Sequence, residues 1–88
     1  SLSSIEGMAS GRPFVASDVP GLTEIVGGAG VLFPQGDVKE LANQINHLLD
    51  DKEHYNAVVE RCQKKAALFD ISTMVQKHVD LYESIYQA

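Results

Sequence analysis

All seven glycines and all three prolines of this 88-residue chain fall between Gly7 and Gly36, and from Asp37 to Ala88 there is neither. Glycine supplies the positive-φ and close-approach positions of turns, and proline stops regular structure. A chain punctuated this way divides into two unlike parts. Residues 1–36 read as loop-rich α/β, and residues 37–88 read as nearly pure helix.

In the first part, Leu2, Ile5, Met8 and Ala9 recur at helical spacing. Gly11 suits the position just past a helix end, and Pro13 cannot continue the helix. Phe14-Val15-Ala16 is a short apolar run between Pro13 and Ser17-Asp18. It reads as a buried strand, parallel because helical segments flank it. Asp18-Val19-Pro20-Gly21 is a turn, and Leu22 to Val26 is one or two helical turns stopped by Gly27-Gly28. Gly30 to Phe33 is a second strand, ended by Pro34. The spacing of Gly21, Gly27, Gly28 and Gly30 matches neither a dinucleotide fingerprint nor a P-loop, so these glycines are assigned to turns.

In the second part, Asp37 caps a helix from Val38 to about Leu49, with Val38, Leu41, Ala42, Ile45, Leu48 and Leu49 as an inward stripe. Asp50-Asp51 breaks and recaps it. The next helix runs to about Phe69, with Tyr55, Val58, Val59, Cys62, Ala66 and Phe69 inward and a Glu60–Lys64 pair outward. Asp70 or Ser72 caps a last helix whose apolar face, Met74, Val75, Val79, Leu81, Tyr82, Ile85 and Tyr86, is wide enough to want a partner surface. The expected inventory is two short parallel strands and about five helices, the last three of them long.

Charge narrows the partners. Seven basic and twelve acidic residues give a net charge of −5, which disfavours nucleic acid, because displacing counterions from phosphates needs a basic face. Cys62 is the only cysteine, so no intrachain disulfide forms; it reads as a small core residue, and a reducing, cytoplasmic setting is expected. No apolar run reaches the length of a membrane span. His47, His54 and His78 fall on three different expected helices without metal-ligand spacing, so they read as surface or interhelix residues and no metal is implied. Arg12, at the amino end of the first strand, reads as a surface salt-bridge residue. Glu24, in the first turn of its helix, reads as structural, whereas Asp18 is equally suited to a local turn or to a site.

Three blocks in order, Ser4-Ile5-Glu6-Gly7-Met8-Ala9-Ser10-Gly11-Arg12-Pro13, Val15 to Val26 and Gly30-Val31-Leu32-Phe33-Pro34, resemble the C-terminal domain of retaining GT-B glycosyltransferases, in the large group called glycosyltransferase family 4 or glycosyl transferases group 1. The resemblance covers essentially the whole chain, with the specific motifs in residues 1–36. It implies the C-terminal half of a Rossmann-like nucleotide-sugar domain. It also implies a parent enzyme that moves a sugar from a UDP-, GDP- or ADP-sugar donor to an acceptor, in polysaccharide or glycan biosynthesis. The family has a pair of glutamates here, and Glu6 matches the second, whose implied role is to hold the donor ribose hydroxyls. The first lies upstream of Ser1, as do the basic residues that meet the diphosphate and the acceptor domain. The backbone at Ser1 and Leu2 matches the helix start that faces the diphosphate. Family members often carry alanine after the second glutamate, where this chain has Gly7.

Elementary chemistry agrees. A carboxylate accepts two hydroxyl protons and grips a vicinal diol. A helix start offers free N–H groups and partial positive charge to a diphosphate. In doubly wound sheets, ligands bind beyond the carboxyl ends of the strands. The resemblance assigns no catalytic residue and no separate cofactor to these residues, and the chain by itself is expected to lack turnover. Self-association through open sheet edges or the last helix is expected, as is peripheral membrane contact of the parent. The alternatives are a non-catalytic interaction or structural module derived from the same fold, and a nucleotide-sugar epimerase of the same two-domain architecture.

Overall fold

The computed structural model of the protein describes the backbone of residues 2–87 and the side-chain surroundings of residues 2–69 and 80. It is an α/β structure with element order α1 (Leu2–Ala9), β1 (Val15–Ser17), α2 (Leu22–Val26), β2 (Val31–Phe33), α3 (Val38–Asp50) and α4 (Lys52–Gln87). β1 and β2 pair in parallel with Val15 opposite Val31 and Ser17 opposite Phe33. The crossover between them is the short helix α2. The two parallel strands agree with a part of a Rossmann-like unit.

Helix ends follow local chemistry. Gly11, at φ 87°, closes α1 in the left-handed region that side chains avoid. Asp37 accepts a hydrogen bond from the Glu40 N–H at 2.9 Å and caps α3 as expected. Asp51 does the same for α4, accepting from the His54 N–H at 3.0 Å. That bond, together with His47 and His54 nearby, holds the Asp51 carboxyl below its ordinary range.

Met8, Val26, Val58 and Cys62 are the largest fully buried side chains, joined by Ala16, Ala29, Leu48 and Ala66. Val58, Cys62 and Ala66 form the inner stripe of α4, as their helical spacing anticipates. The Glu60–Lys64 pair forms on the exposed side at 2.9 Å.

Five expectations change. First, the helices of the described residues number four, because α4 continues without a break through Asp70 and Ser72. Neither residue forbids helix, so the capping preference there has no chain reversal to serve. Met74, Val75, Val79, Leu81, Tyr82, Ile85 and Tyr86, the apolar face expected to want a partner surface, lie outside the described side chains. Second, β1 starts one residue later than the apolar run, since Phe14 precedes the ladder and its carbonyl accepts the Val31 N–H at 2.9 Å. Third, the α3 stripe is only partly inward. Leu48 is buried and Leu41 half-buried, but Val38 and Leu49 are 75% and 73% exposed and Ile45 is 41% exposed. Helical periodicity marks an apolar arc, and two three-residue strands can cover only one edge of it. Fourth, His47 and His78 lie on two helices with His54 sharing α4, and the His47 and His54 rings stack across the α3–α4 junction with centroids 3.9 Å apart. His54 Nε2 is buried without a hydrogen-bond partner. Fifth, among the described residues Arg12 enters no ion pair; it is exposed, and its backbone N–H donates to Ser10 Oγ at 3.4 Å.

Candidate functional site

The carboxylates of residues 1–36 sort by what they already hold. Glu24 Oε2 accepts the Gly21 N–H at 2.7 Å, which orders the entry to α2 and bears out its structural assignment. Asp18, just past β1, accepts the Thr23 hydroxyl at 2.5 Å, and the same hydroxyl donates to the Val19 carbonyl at 2.9 Å. Asp18 is therefore committed to the β1–α2 turn. Glu6 differs. It is exposed, and among the described residues it takes no hydrogen bond and no ion pair.

Geometry explains this. On α1, Ser4 and Met8 point inward one turn apart, and Ile5 is half-buried beside them. Glu6 falls on the opposite side, sharing a solvent-facing stripe with Leu2 four residues earlier, which is 70% exposed. Glu6 is thus on the open face of α1, Leu2 is the first residue of that helix, and Ser1 lies outside the described residues. The first turn of α1 carries no acidic residue, so nothing there opposes an anion at the helix start. Among the described residues no pocket closes over this face, and none of their His, Cys, Asp and Glu side chains groups in threes to hold a metal ion. No described helix is long and apolar enough to cross a membrane.

The site rests on supports that sequence reasoning missed. Lys65 on α4 donates to the Gly27 carbonyl at 2.5 Å and to the Glu24 carbonyl at 3.2 Å, so a cation closes the last turn of α2. The contact spans 38 residues, and nothing local to Lys65 signals it. We expect Lys65→Met to lower stability by about 1 kcal/mol, the worth of a charge and a hydrogen bond at a helix end. A thermal melt followed by circular dichroism checks it, and an unchanged midpoint would dismiss the cap. Gly28, at φ 79°, turns the chain from α2 towards β2, in keeping with its turn assignment, whereas Gly30 has no positive φ and is a close-approach position.

Residues 1–51, the part that holds α1, the sheet and α3, match the family described as Glycosyl transferases group 1. The chain belongs to that family. This glycosyl transferases group 1 chain is also similar to an MMP alpha-(1->4)-mannosyltransferase of Mycolicibacterium hassiacum, with 33% identity over 87 residues covering 94% of this chain and 21% of the relative. It thus spans about a fifth of the length of that curated relative. No solved structure matches it.

Proposed function

We propose that this chain is the C-terminal part of the donor-binding domain of a retaining GT-B glycosyltransferase of family 4, with residues 1–36 bearing the donor-site motifs and residues 37–88 packing around them. The whole enzyme transfers a sugar from a nucleotide-diphosphate sugar to an acceptor bound by a second domain, in polysaccharide or glycan synthesis in the cytoplasm. The relative's name makes a nucleotide-linked mannose the first donor to try.

One observation carries the reading. Within residues 1–36, where Asp18 and Glu24 are held at the β1–α2 turn, Glu6 stands exposed with no hydrogen bond or ion pair to the described residues. In the whole enzyme its carboxylate oxygens accept the two vicinal ribose hydroxyls, a charge-assisted pairing that no neutral residue matches. The start of α1 faces the diphosphate, where its N–H groups meet the charge that grows as the leaving group departs. Two further features support a part of a larger domain: the sheet has only two strands, and α3 leaves Val38, Ile45 and Leu49 open.

The test is Glu6→Ala in the polypeptide that carries this chain. Hydrogen bonds to a charged group are worth about 1.5–3 kcal/mol, so donor affinity should fall roughly tenfold to a hundredfold. The fold should be untouched, because Glu6 holds nothing in the described structure. Unchanged donor affinity would reject the assignment.

A further inference from the structure

Glu6 is followed by a residue whose size the structure cannot change without disturbance. A methyl group on Gly7 would lie 2.5 Å from Phe14 Cε2 and 2.6 Å from Cδ2, closer than side-chain carbons approach. A methyl group on Gly30 would lie 2.6 Å from the carbonyl oxygen of the same Phe14. Neither glycine has positive φ, so both are required for space and not for backbone conformation.

Phe14 is thus seated between two glycines. Its ring lies on α1 at Gly7, and its carbonyl accepts the Val31 N–H at 2.9 Å, which ties it to β2. The ring also packs against the buried core. α1 packs mainly on α4 and α2, and on its strand side the Phe14 ring meets it at Gly7. We infer that Phe14 is a positioning residue for the donor site: its ring, fitted to the bare Cα of Gly7, sets where α1 presents Glu6.

The inference rests on the proposed ribose role of Glu6 and adds a coupling between positions 7 and 14. A larger residue at 7 is compatible with this seat only if the residue at 14 is smaller than phenylalanine. In Gly7→Ala the ring and the helix separate, and Glu6, the adjacent residue, moves with the helix. A displaced carboxylate grips the ribose diol less well, and a donor affinity about tenfold weaker corresponds to the loss of roughly one charge-assisted hydrogen bond.

The experiment is a set of variants in the polypeptide that carries this chain: Gly7→Ala, Phe14→Leu, their double, and Gly7→Ala combined with Glu6→Ala. The readouts are donor KM and kcat at saturating donor. The expected result is a donor KM about tenfold higher in Gly7→Ala with kcat largely kept, restored to within about twofold by adding Phe14→Leu. In the Glu6→Ala background, Gly7→Ala should leave donor KM unchanged, because its effect acts through Glu6. An equal effect of Gly7→Ala in both backgrounds would make the contact structural only and overturn the inference. So would failure of Phe14→Leu to restore KM. If Glu6→Ala alone leaves donor KM unchanged, the ribose reading itself falls, and the inference with it. Should Gly7→Ala not fold, Phe14→Leu alone loosens the same seat, and its effect on KM must likewise vanish in the Glu6→Ala background.

Discussion

Gly30→Ala is expected to lower the melting midpoint of the chain by more than about 10 °C. Gly30 sits at the entry to β2, where an added methyl group meets the Phe14 carbonyl oxygen at 2.6 Å and Val26 Cγ1 at 2.7 Å. Neither atom can yield cheaply. The carbonyl already accepts the Val31 N–H, and Val26 is fully buried. Relief requires β2 to move away from β1 or Val26 to leave its site. Overpacking costs about 1–3 kcal/mol, and the strained ladder bond adds about 0.5–1.5 kcal/mol. A domain this size holds about 0.05–0.15 kcal/mol per residue, roughly 4–13 kcal/mol in total, and each kcal/mol is worth about 4–8 °C. The sheet has no reserve, having two strands of three residues each. Circular dichroism melts would show it. A midpoint within about 3 °C of the parent chain would mean that the strands separate freely at this point.

Much of the fold is written in short-range chemistry. The bounds of α2, the Asp37 cap and the Asp51 recap follow from residues within one turn of the feature they set. The inward stripe of α4 follows from the 3.6-residue period of Val58, Cys62 and Ala66. What fails to read out depends on distant parts of the chain. Which edge of the α3 arc is buried depends on how much sheet lies beneath it. Lys65 closes a helix 38 residues away, and the Gly7–Phe14 seat appears only once α1 folds back beside the strand. The continuity of α4 past Asp70 is a case of weak signals: a cap-forming residue favours a break, but without glycine or proline the helix is the lower-cost path.

The site divides the same way. The exposure of Glu6 was only partly readable: the apolar pattern of α1 included Leu2, four residues earlier on the same face, whereas the structure buries Ser4 and Met8 and leaves Leu2 70% exposed. That Asp18 is committed to its turn was not readable, because its partner Thr23 lies on the next helix. The ribose role proposed for Glu6 comes from the resemblance of three linked blocks. The structure adds the physical condition that role requires, an open carboxylate on a helix anchored from the opposite side.

Met8 is that anchor, and Met8→Ala should be the most damaging single truncation in residues 1–36. Its side chain is fully buried in the core shared with Val26, Val58 and Cys62, with Ile5 of the same helix only partly buried beside it. Met→Ala at such a site costs about 2–5 kcal/mol, through lost transfer energy and the cavity left behind. Against a total of roughly 4–13 kcal/mol, this can unfold the chain at ambient temperature. Met8→Leu keeps the volume and should cost less than about 1.5 kcal/mol, which separates loss of packing from any special need for sulfur. Because α1 is only eight residues long, it cannot hold its helix once detached. Loss of Met8 should therefore appear first as faster amide exchange over α1, and only then as global melting. Exchange in α1 that stays as slow as in α4 would mean that other contacts hold the helix, and that Glu6 owes its position to something besides this core.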